Sequence, residues 1–235
     1  MAYISFQPSD HFNTKLYTSN NGASPRTITG VGFNPDLIWV KNRDSASYNH
    51  VIDDNVRGPS HILYPDLSNA EASSPVTGTI SSTNSDGFVL TAGSTNLSNY
   101  DVGTNKQCSW NWKANGSGSS NTDGTITSTV SANTTAGFSI VTYTGTGANA
   151  TIGHGLGTAP SIVLCKNRSV SGNWIMYHST LGATKYMVLN ATDAQATNAA
   201  AWNNTAPTSS VFSVGTGSTV NGSGNNLVAY CFAEK

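Results

Sequence analysis

Short apolar runs alternate with longer polar stretches along this chain, in a pattern typical of β-strands. Residues 107–112 and 138–143 alternate apolar and polar side chains, and this period of two places successive side chains on opposite faces of a strand. Compact apolar runs bounded by Gly, Pro, Asn or Asp occupy residues 37–40, 162–165, 174–177, 186–189 and 227–232. The pattern predicts an all-β chain. One helix is expected, in the Ala-rich stretch Asp193–Trp202 with Thr192 or Asp193 as its cap.

The order of these signals occurs twice. Tyr17-Thr18 recurs as Tyr143-Thr144, and the triplet Lys41-Asn42-Arg43 recurs 125 positions later as Lys166-Asn167-Arg168. A period this long favours a duplicated domain over a solenoid of short units. The duplication is expected to have copied the scaffold. The markers that both copies share are Pro35, Lys41, Asn42, Arg43, Gly58 and Phe88 in the first and Pro160, Lys166, Asn167, Arg168, Gly182 and Phe212 in the second.

We therefore predict two tandem, internally duplicated β-sandwich domains of a jelly-roll-like kind. Many short strands in about 100 residues per copy favour sandwiches over one large barrel, and that length suffices for a core in each. The first repeat is expected at 1–113 and the second at 125–235, opened by a strand at Thr125–Val130. Residues 114–124 are expected to be a Gly/Ser/Asn linker, because they carry no side chain that would anchor a core.

Charged residues are scarce, and this limits the classes of partner. Asp, Glu, Lys and Arg make up 10% of the chain, the net charge is −1, and the basic residues are scattered, which argues against a nucleic-acid surface. No apolar stretch approaches the roughly 20 residues that span a bilayer, and Met1–Phe6 lacks the features of a signal peptide. We expect cytoplasmic synthesis without export and no membrane insertion.

Cys108, Cys165 and Cys231 are expected to be buried thiols in a reducing compartment.

Groups that catalysis requires are sparse. From Phe138 onward the acidic residues are Asp193 and Glu234, whereas glycoside cleavage needs two carboxyls facing each other across the bond. Asp53 and Asp54 are adjacent and would face opposite sides of a strand, so they do not form a catalytic pair. The five histidines fall in no metal-ligand spacing. We expect no enzyme, no catalytic residue, no metal site and no cofactor.

Each Lys-Asn-Arg triplet directly follows an apolar strand, and two interpretations are open. The two cations of Lys41–Arg43 or Lys166–Arg168 could grip a carboxylate, a phosphate or an acidic sugar. In the structural alternative, Asn turns the chain while Arg pairs with a loop carbonyl or an Asp. We favour the structural alternative, because both copies keep the triplet beside unchanged core residues.

The tryptophans are the candidates for stacking on a sugar. Trp39 lies in a core-like run, and Trp110 and Trp112 share one strand face that is expected to pack against the sister sheet. Trp202 lies in the Ala-rich loop without an aromatic counterpart in the first copy. Trp202 is therefore the first choice as a glycan-binding residue, and the alternative is that it plugs one end of the sandwich.

Both halves resemble one module in their triplets and the segments around them. The first half carries Tyr17-Thr18, Val31–Arg43 and Arg57-Gly58, and the second carries Tyr143–Gly145, His154–Pro160, Lys166–Arg168 and Leu181–Lys185. In these elements the chain resembles a repeat module of virion structural and tail-fibre-type proteins of marine bacteriophages. The resemblance implies a scaffold without catalytic residues.

With this resemblance, we expect a non-enzymatic virion structural protein on the particle surface, first of all a tail-associated fibre or adhesin module that contacts the host. A capsid decoration or head-fibre protein is the alternative, and a carbohydrate-binding module is the second alternative. The expected partners are other virion proteins of the tail or capsid, further copies of the chain with a trimer favoured, and a host-surface glycan. A surface rich in hydroxyl and amide groups suits assembly where salt screens charge pairs.

Overall fold

The computed structural model describes residues 7–21, 24–73, 78–93 and 99–235. Met1–Phe6, on which the expectation about export depends, lie outside the described residues. The described chain is all-β as predicted, with nineteen strands, two one-turn α-helices and one 3-10 turn at Pro8–Asp10. It divides into two compact units: unit 1 comprises Met1–Tyr64 and Ala72–Ala114, and unit 2 comprises Pro65–Glu71 and Asn115–Lys235.

Unit 1 contains two principal sheets and a short hairpin. Its strands are β1 (Phe12–Thr18), β2 (Arg26–Thr29), β3 (Leu37–Asn42), β4 (Val51–Asp54), β5 (His61–Ile62), β6 (Ala72–Ser73), β7 (Thr79–Asn84), β8 (Gly87–Thr91) and β9 (Lys106–Trp112). One sheet has the order β1-β9-β3-β4 and the other β2-β8-β7, while β5 pairs with β6. Val40 and Val51 from the first sheet share a core with Ile28, Phe88 and Leu90 from the second.

Unit 2 is built around one larger sheet. Its strands are β10 (Ser119–Asn121), β11 (Ser128–Asn133), β12 (Phe138–Thr144), β13 (Ala150–Gly153), β14 (Ile162–Asn167), β15 (Ile175–His178), β16 (Lys185–Val188), β17 (Ala196–Thr197), β18 (Val211–Val214) and β19 (Asn226–Phe232). The eight-stranded sheet has the order β10-β11-β12-β19-β14-β15-β16-β17, and β13 pairs with β18. Its core joins Val141, Val163 and Ala229 of the large sheet to Ile152 and Phe212 of the small one.

The two units repeat one strand order. The order β1-β9-β3-β4 in unit 1 matches β12-β19-β14-β15 in unit 2, and the pair β2-β8 matches β13-β18. The hairpins correspond in register as well: His61 pairs with Ser73 in β5-β6, and Lys185 pairs with Thr197 in β16-β17, 124 positions later at both ends. The four central strands and the small-sheet pair therefore correspond in order, although β5-β6 forms a separate sheet where β16-β17 continues the large one.

The observed boundaries differ from the predicted ones. Within the predicted linker at 114–124, Ser119–Asn121 forms β10 on the edge of the large sheet, and the Asn115 N–H donates to Ser131 Oγ at 2.7 Å. Hydrogen bonds of the backbone and of small polar side chains hold this segment, so it needs no large apolar anchor. The opening strand β11 starts at Ser128 rather than Thr125, and Pro65–Glu71 groups with unit 2 although it lies in the first predicted repeat.

The helix in the Ala-rich stretch is shorter than predicted. Only Ala199–Trp202 forms α1, because Ala196-Thr197 pairs with β16 and Asn198 caps the helix by accepting from the Ala200 N–H. Asn203, with a φ of 50°, ends it. A second helical turn, α2 (Ser218–Asn221), was not predicted. None of the helices in the described part of the chain has the length and apolar character to cross a membrane.

Candidate functional site

The first Lys-Asn-Arg triplet ends β3 and braces the loop that follows. Asn42 is buried, and its Oδ1 accepts hydrogen bonds from the backbone N–H groups of Asp44 and Ser45, each at 3.0 Å. Lys41 spans the loop, with its Nζ donating to the Tyr48 carbonyl oxygen at 2.7 Å. The triplet therefore turns the chain with Asn and closes the turn with Lys.

The second triplet repeats this arrangement at the end of β14. The Asn167 Oδ1 accepts from the N–H groups of Ser169 at 3.0 Å and Val170 at 3.3 Å. Lys166 is fully buried, and its Nζ makes a short hydrogen bond to the Gly172 carbonyl. Burial lowers the pKa of Lys166 to about 8. The Asn side chain thus turns the chain in both copies, as the structural alternative supposes, and the Lys contact across the loop is an addition that the sequence did not indicate.

The second triplet also holds a further segment, Pro65–Glu71, which we call the 65–71 arm. The Ser68 carbonyl accepts from Lys166 Nζ at 3.0 Å and from the Gly172 N–H at 2.7 Å. The Glu71 N–H donates to the Arg168 carbonyl at 2.9 Å, and its carboxylate accepts from Arg168 Nε and Nη2, each at 2.8 Å. Two-point Arg–carboxylate pairing is among the strongest polar contacts in proteins, so the triplet acts here as a peptide-binding corner.

The other repeat markers occupy equivalent structural positions. Phe88 and Phe212 are fully buried in the two cores, and each makes an edge contact with the tyrosine of its unit, Tyr17 or Tyr143. Gly58 and Gly182 both have a positive φ, 84° and 75°, which disfavours other residues. Pro35 and Pro160 are buried just before β3 and β14. These markers serve packing and turn geometry.

The carboxylates of unit 1 brace its interior. Asp54 and Arg57 form a fully buried ion pair, and the Asp36 carboxylate accepts from Asn55 Nδ2 and from the Ala114 N–H. Asp53, on β4 beside Asp54, accepts from the Tyr100 hydroxyl at 2.7 Å, and burial raises its pKa to about 7. The cavity beside Asp36, Asp53 and Asp54 measures about 60 Å³, far below the roughly 300–1,000 Å³ of ordinary ligand pockets.

An open apolar cleft of about 250 Å³ lies on unit 1, lined by Trp39, His50, Trp110 and Trp112, and we call it the aromatic cleft. Trp39 and Trp110 are cross-strand partners whose ring centroids are 6.2 Å apart and whose planes meet at 75°. Trp39 Nε1 donates to His50 Nδ1 at 2.9 Å, which fixes the orientation of both rings. One indole therefore presents a face beside the edge of the other.

The aromatic cleft corrects the expectation that these tryptophans pack inside. Trp39 alternates with Ile38 and Val40, which enter the core, so its own side chain leaves β3 on the opposite face and stays half-buried. Trp110 leaves β9 on that same face and is also half-buried. At the corresponding positions of unit 2, Leu164 and Tyr230 are 7% and 1% exposed. The sequence contained the alternation of the two faces. It did not indicate which face is open to solvent.

Trp202 occupies the place given by its structural alternative. It is 2% exposed, belongs to the core of unit 2, and packs edge-on against Tyr177 with 6.0 Å between ring centroids. No indole face is available to a sugar ring, so the structure corrects Trp202 as a glycan-binding candidate. The helical turn that carries Trp202 directs it inward, next to the buried Ala201.

The three cysteines and His154 are enclosed. All three cysteines are free thiols and buried, as predicted, and burial raises the pKa of Cys165 to about 12. His154 is buried, its Nε2 lies 3.1 Å from the Thr208 carbonyl oxygen, and burial lowers its pKa. Among the described residues, no three His, Cys, Asp or Glu side chains converge as metal ligands.

Comparison with known proteins places the chain in a family. Neither the curated proteins nor the solved structures contain a match. A family described as a domain of unknown function, DUF7483, matches residues 7–235. That range includes both Lys-Asn-Arg triplets, the 65–71 arm and the aromatic cleft. The chain therefore belongs to the DUF7483 domain family.

Proposed function

We propose that this protein is a non-enzymatic structural component of a bacteriophage particle, a tail-associated fibre or adhesin module that contacts the host surface. The support for the virion role is the resemblance of the strand-and-triplet segments in both halves to the virion repeat module. The support for a non-enzymatic role is the use of the charged groups. Lys41, Lys166, Arg168 and Glu71 brace loops and the 65–71 arm, and Asp54 is paired with Arg57.

The module proposed for this role consists of two tandem, internally duplicated β-sandwiches of a jelly-roll-like kind. Three observations support it: the two units share a strand order, their β5-β6 and β16-β17 hairpins share a register, and the two sheets of each unit contribute to one core. Matching register is a demanding criterion, because a slip by one residue would reverse every side chain between core and surface.

The aromatic cleft carries the contact function. Half-buried Trp39 and Trp110 offer apolar ring surface to solvent, and large aromatic side chains contribute most of the binding energy in many interfaces. A sugar ring has C–H groups on its faces and hydroxyl groups at its rim, so it can stack on an indole while its rim stays hydrated. A host-surface glycan therefore fits this cleft as the ligand.

The particle role is tested by counting copies in purified virions. Quantitative mass spectrometry should find the chain in the particle at a handful of copies, as a tail component requires. Hundreds of copies per particle would reject the tail in favour of capsid decoration or a head fibre. Absence of the chain from intact particles would remove the virion role altogether.

A carbohydrate-binding module is the second candidate, and the aromatic cleft is the observation that favours it. A glycan array probed with the full chain should give signals that Trp39→Ala and Trp110→Ala reduce at least tenfold. Val170→Ala is the matched control, since Val170 is 45% exposed on unit 2 and lies outside the cleft. Equal signals from all variants would mean that glycans bind outside the aromatic cleft. No signal from the wild type would reject the carbohydrate-binding proposal.

A further inference from the structure

The peptide-binding corner of unit 2 has a counterpart in unit 1 with the same residues. Corner 2 consists of Lys166–Arg168 and Gly172, and corner 1 consists of Lys41–Arg43 and Tyr48. In both corners Lys Nζ donates to the carbonyl at the far end of the loop, Gly172 or Tyr48. In both, the backbone N–H of the Arg donates to the carbonyl of the first residue of the unit's last strand, Asn226 of β19 or Lys106 of β9. The two corners therefore share their framework.

Among the residues that the structure describes, corner 1 differs from corner 2 in having no arm. The groups of corner 2 that hold the 65–71 arm are the Lys166 Nζ, the Gly172 N–H, and the carbonyl and guanidinium of Arg168. In corner 1, Arg43 is exposed, and neither its guanidinium nor its carbonyl makes a hydrogen bond or ion pair with the described residues. The Tyr48 N–H likewise has no acceptor within the described ranges.

Unit 2 carries a second arm, residues 189–195, which we call the 189–195 arm. It lies 124 positions after the 65–71 arm and is flanked by the hairpin β16-β17, just as the first arm is flanked by β5-β6 in the same register. Both arms begin with a two-residue turn and a bend and then run without regular structure into the next strand. Residues 191–195 are all exposed. The described part of the chain thus contains one corner without an arm and one exposed arm of the same form.

We propose that the 189–195 arm of one copy docks in corner 1 of a second copy, by the contacts that the 65–71 arm makes in corner 2. The equivalent groups are the Thr192 carbonyl, which accepts from Lys41 Nζ and the Tyr48 N–H, and the Gln195 N–H, which donates to the Arg43 carbonyl. The Gln195 side-chain oxygen takes the place of the Glu71 carboxylate opposite the guanidinium of Arg43.

This contact joins two different surfaces of the chain, so the resulting assembly is head-to-tail. A head-to-tail contact gives a ring where the rotation closes and a filament where it does not, and the expected trimer is one such ring. A seven-residue arm buries less area than a standard interface, so a single contact is weak and ring closure supplies additional affinity. The proposal does not depend on the virion role, since either can fail while the other stands.

The difference between Gln195 and Glu71 gives a gain-of-function test. Gln195→Glu gives the 189–195 arm a carboxylate at the position that Glu71 has in the 65–71 arm. This carboxylate would pair with Arg43, so the dissociation constant of the contact between copies should fall about tenfold. Arg43→Glu removes the donor and should raise the constant at least tenfold. Lys235→Glu makes the same change of charge at an exposed residue that belongs to neither corner and neither arm, and it is the matched control.

Sedimentation velocity of the full chain, from about 10 μM to about 1 mM, measures these constants. Circular dichroism of each variant verifies its fold. The proposal is overturned by a wild type and a Gln195→Glu variant that both stay monomeric over this range, or by an Arg43→Glu variant that associates as the wild type does.

Mixing two impaired chains tests the direction of the contact. Arg43→Glu keeps an intact arm, and Gln195→Pro keeps an intact corner but lacks the N–H that would meet the Arg43 carbonyl. Each alone should be monomeric, while the mixture should form one-to-one complexes and nothing larger. A mixture that stays monomeric, or that assembles beyond two chains, would contradict head-to-tail docking.

Discussion

Asp53 shows how a single buried acid can set the pH dependence of this fold. Asp53 is 5% exposed, its carboxyl accepts a hydrogen bond from Tyr100, and it lies near the buried Asp54–Arg57 pair. Burial raises its pKa to about 7, although the Tyr100 hydrogen bond and the charge of Arg57 partly oppose this rise. The folded chain therefore keeps a proton that the unfolded chain releases near pH 4.

We expect the stability of unit 1 to fall as the pH rises from about 4 to about 7 and to stay reduced above it, because the unfolded state binds fewer protons there. Asp53→Asn cannot ionise, so at pH 8 its free energy of unfolding should exceed that of the wild type by up to about 4 kcal/mol. Denaturant titrations at pH 4 and pH 8 measure the difference. The same difference at both pH values would contradict the prediction, and Asp54→Asn, which loses the Arg57 pair, should destabilise at both.

The lysines of the two triplets, Lys41 and Lys166, should differ in how much each contributes to stability. Lys166→Met removes a fully buried donor from the carbonyls of Ser68 and Gly172, although the Ser68 carbonyl keeps the Gly172 N–H, and this loss should cost about 2–4 kcal/mol. Lys41→Met frees one carbonyl, that of Tyr48, at a half-buried site where water can replace the donor, and should cost about 1 kcal/mol. Thermal unfolding of both variants measures the two losses of stability. Equal losses in Lys166→Met and Lys41→Met would refute the prediction.

At the scale of elements, the sheet β1-β9-β3-β4 serves two purposes through its two faces. Val40 and Tyr17 point into the core of unit 1, while Trp39 and Trp110 leave the strands on the other face. In unit 2, the helical turn α1 directs Trp202 into the core. Tryptophan content alone therefore does not identify a binding surface, since the face of the element decides what the ring can meet.

Truncating these tryptophans should separate core from surface. Trp202→Ala removes a ring that is 2% exposed and should cost about 3–5 kcal/mol of unfolding free energy, by loss of burial and formation of a cavity. Trp110→Ala acts on a half-buried ring and should cost less than about 2 kcal/mol. Chemical denaturation of both variants provides the comparison. If Trp110→Ala is the more destabilising change, the aromatic cleft belongs to the scaffold.

At the scale of the whole molecule, unit 2 is completed by residues from the first half of the sequence. The seven-residue 65–71 arm groups with unit 2, where Lys166 and Arg168 hold it, and one family description spans both units. The two-unit chain is therefore the natural piece for expression and for measurement of assembly.

Breaking the ion pair between Glu71 and Arg168 should loosen the 65–71 arm locally. Arg168→Glu repels Glu71 and should raise amide hydrogen exchange at least tenfold at Glu71 and Gly172, whose N–H groups join the arm to the corner, while exchange in β12 and β19 stays unchanged. Exchanging the two charges, Arg168→Glu with Glu71→Arg, should restore much of the protection. Protection that survives Arg168→Glu would mean that the backbone bonds alone hold the arm.

The sequence by itself determined the all-β class, the strands at 37–40, 162–165 and 227–232, and the burial of the cysteines, because alternation and short apolar runs act over a few residues. Only the tertiary structure decided which face of β3 and β9 stays open, that Trp202 is enclosed, and that Pro65–Glu71 completes unit 2. Each of these depends on which distant segment covers a surface, and local pattern carries no information about that covering.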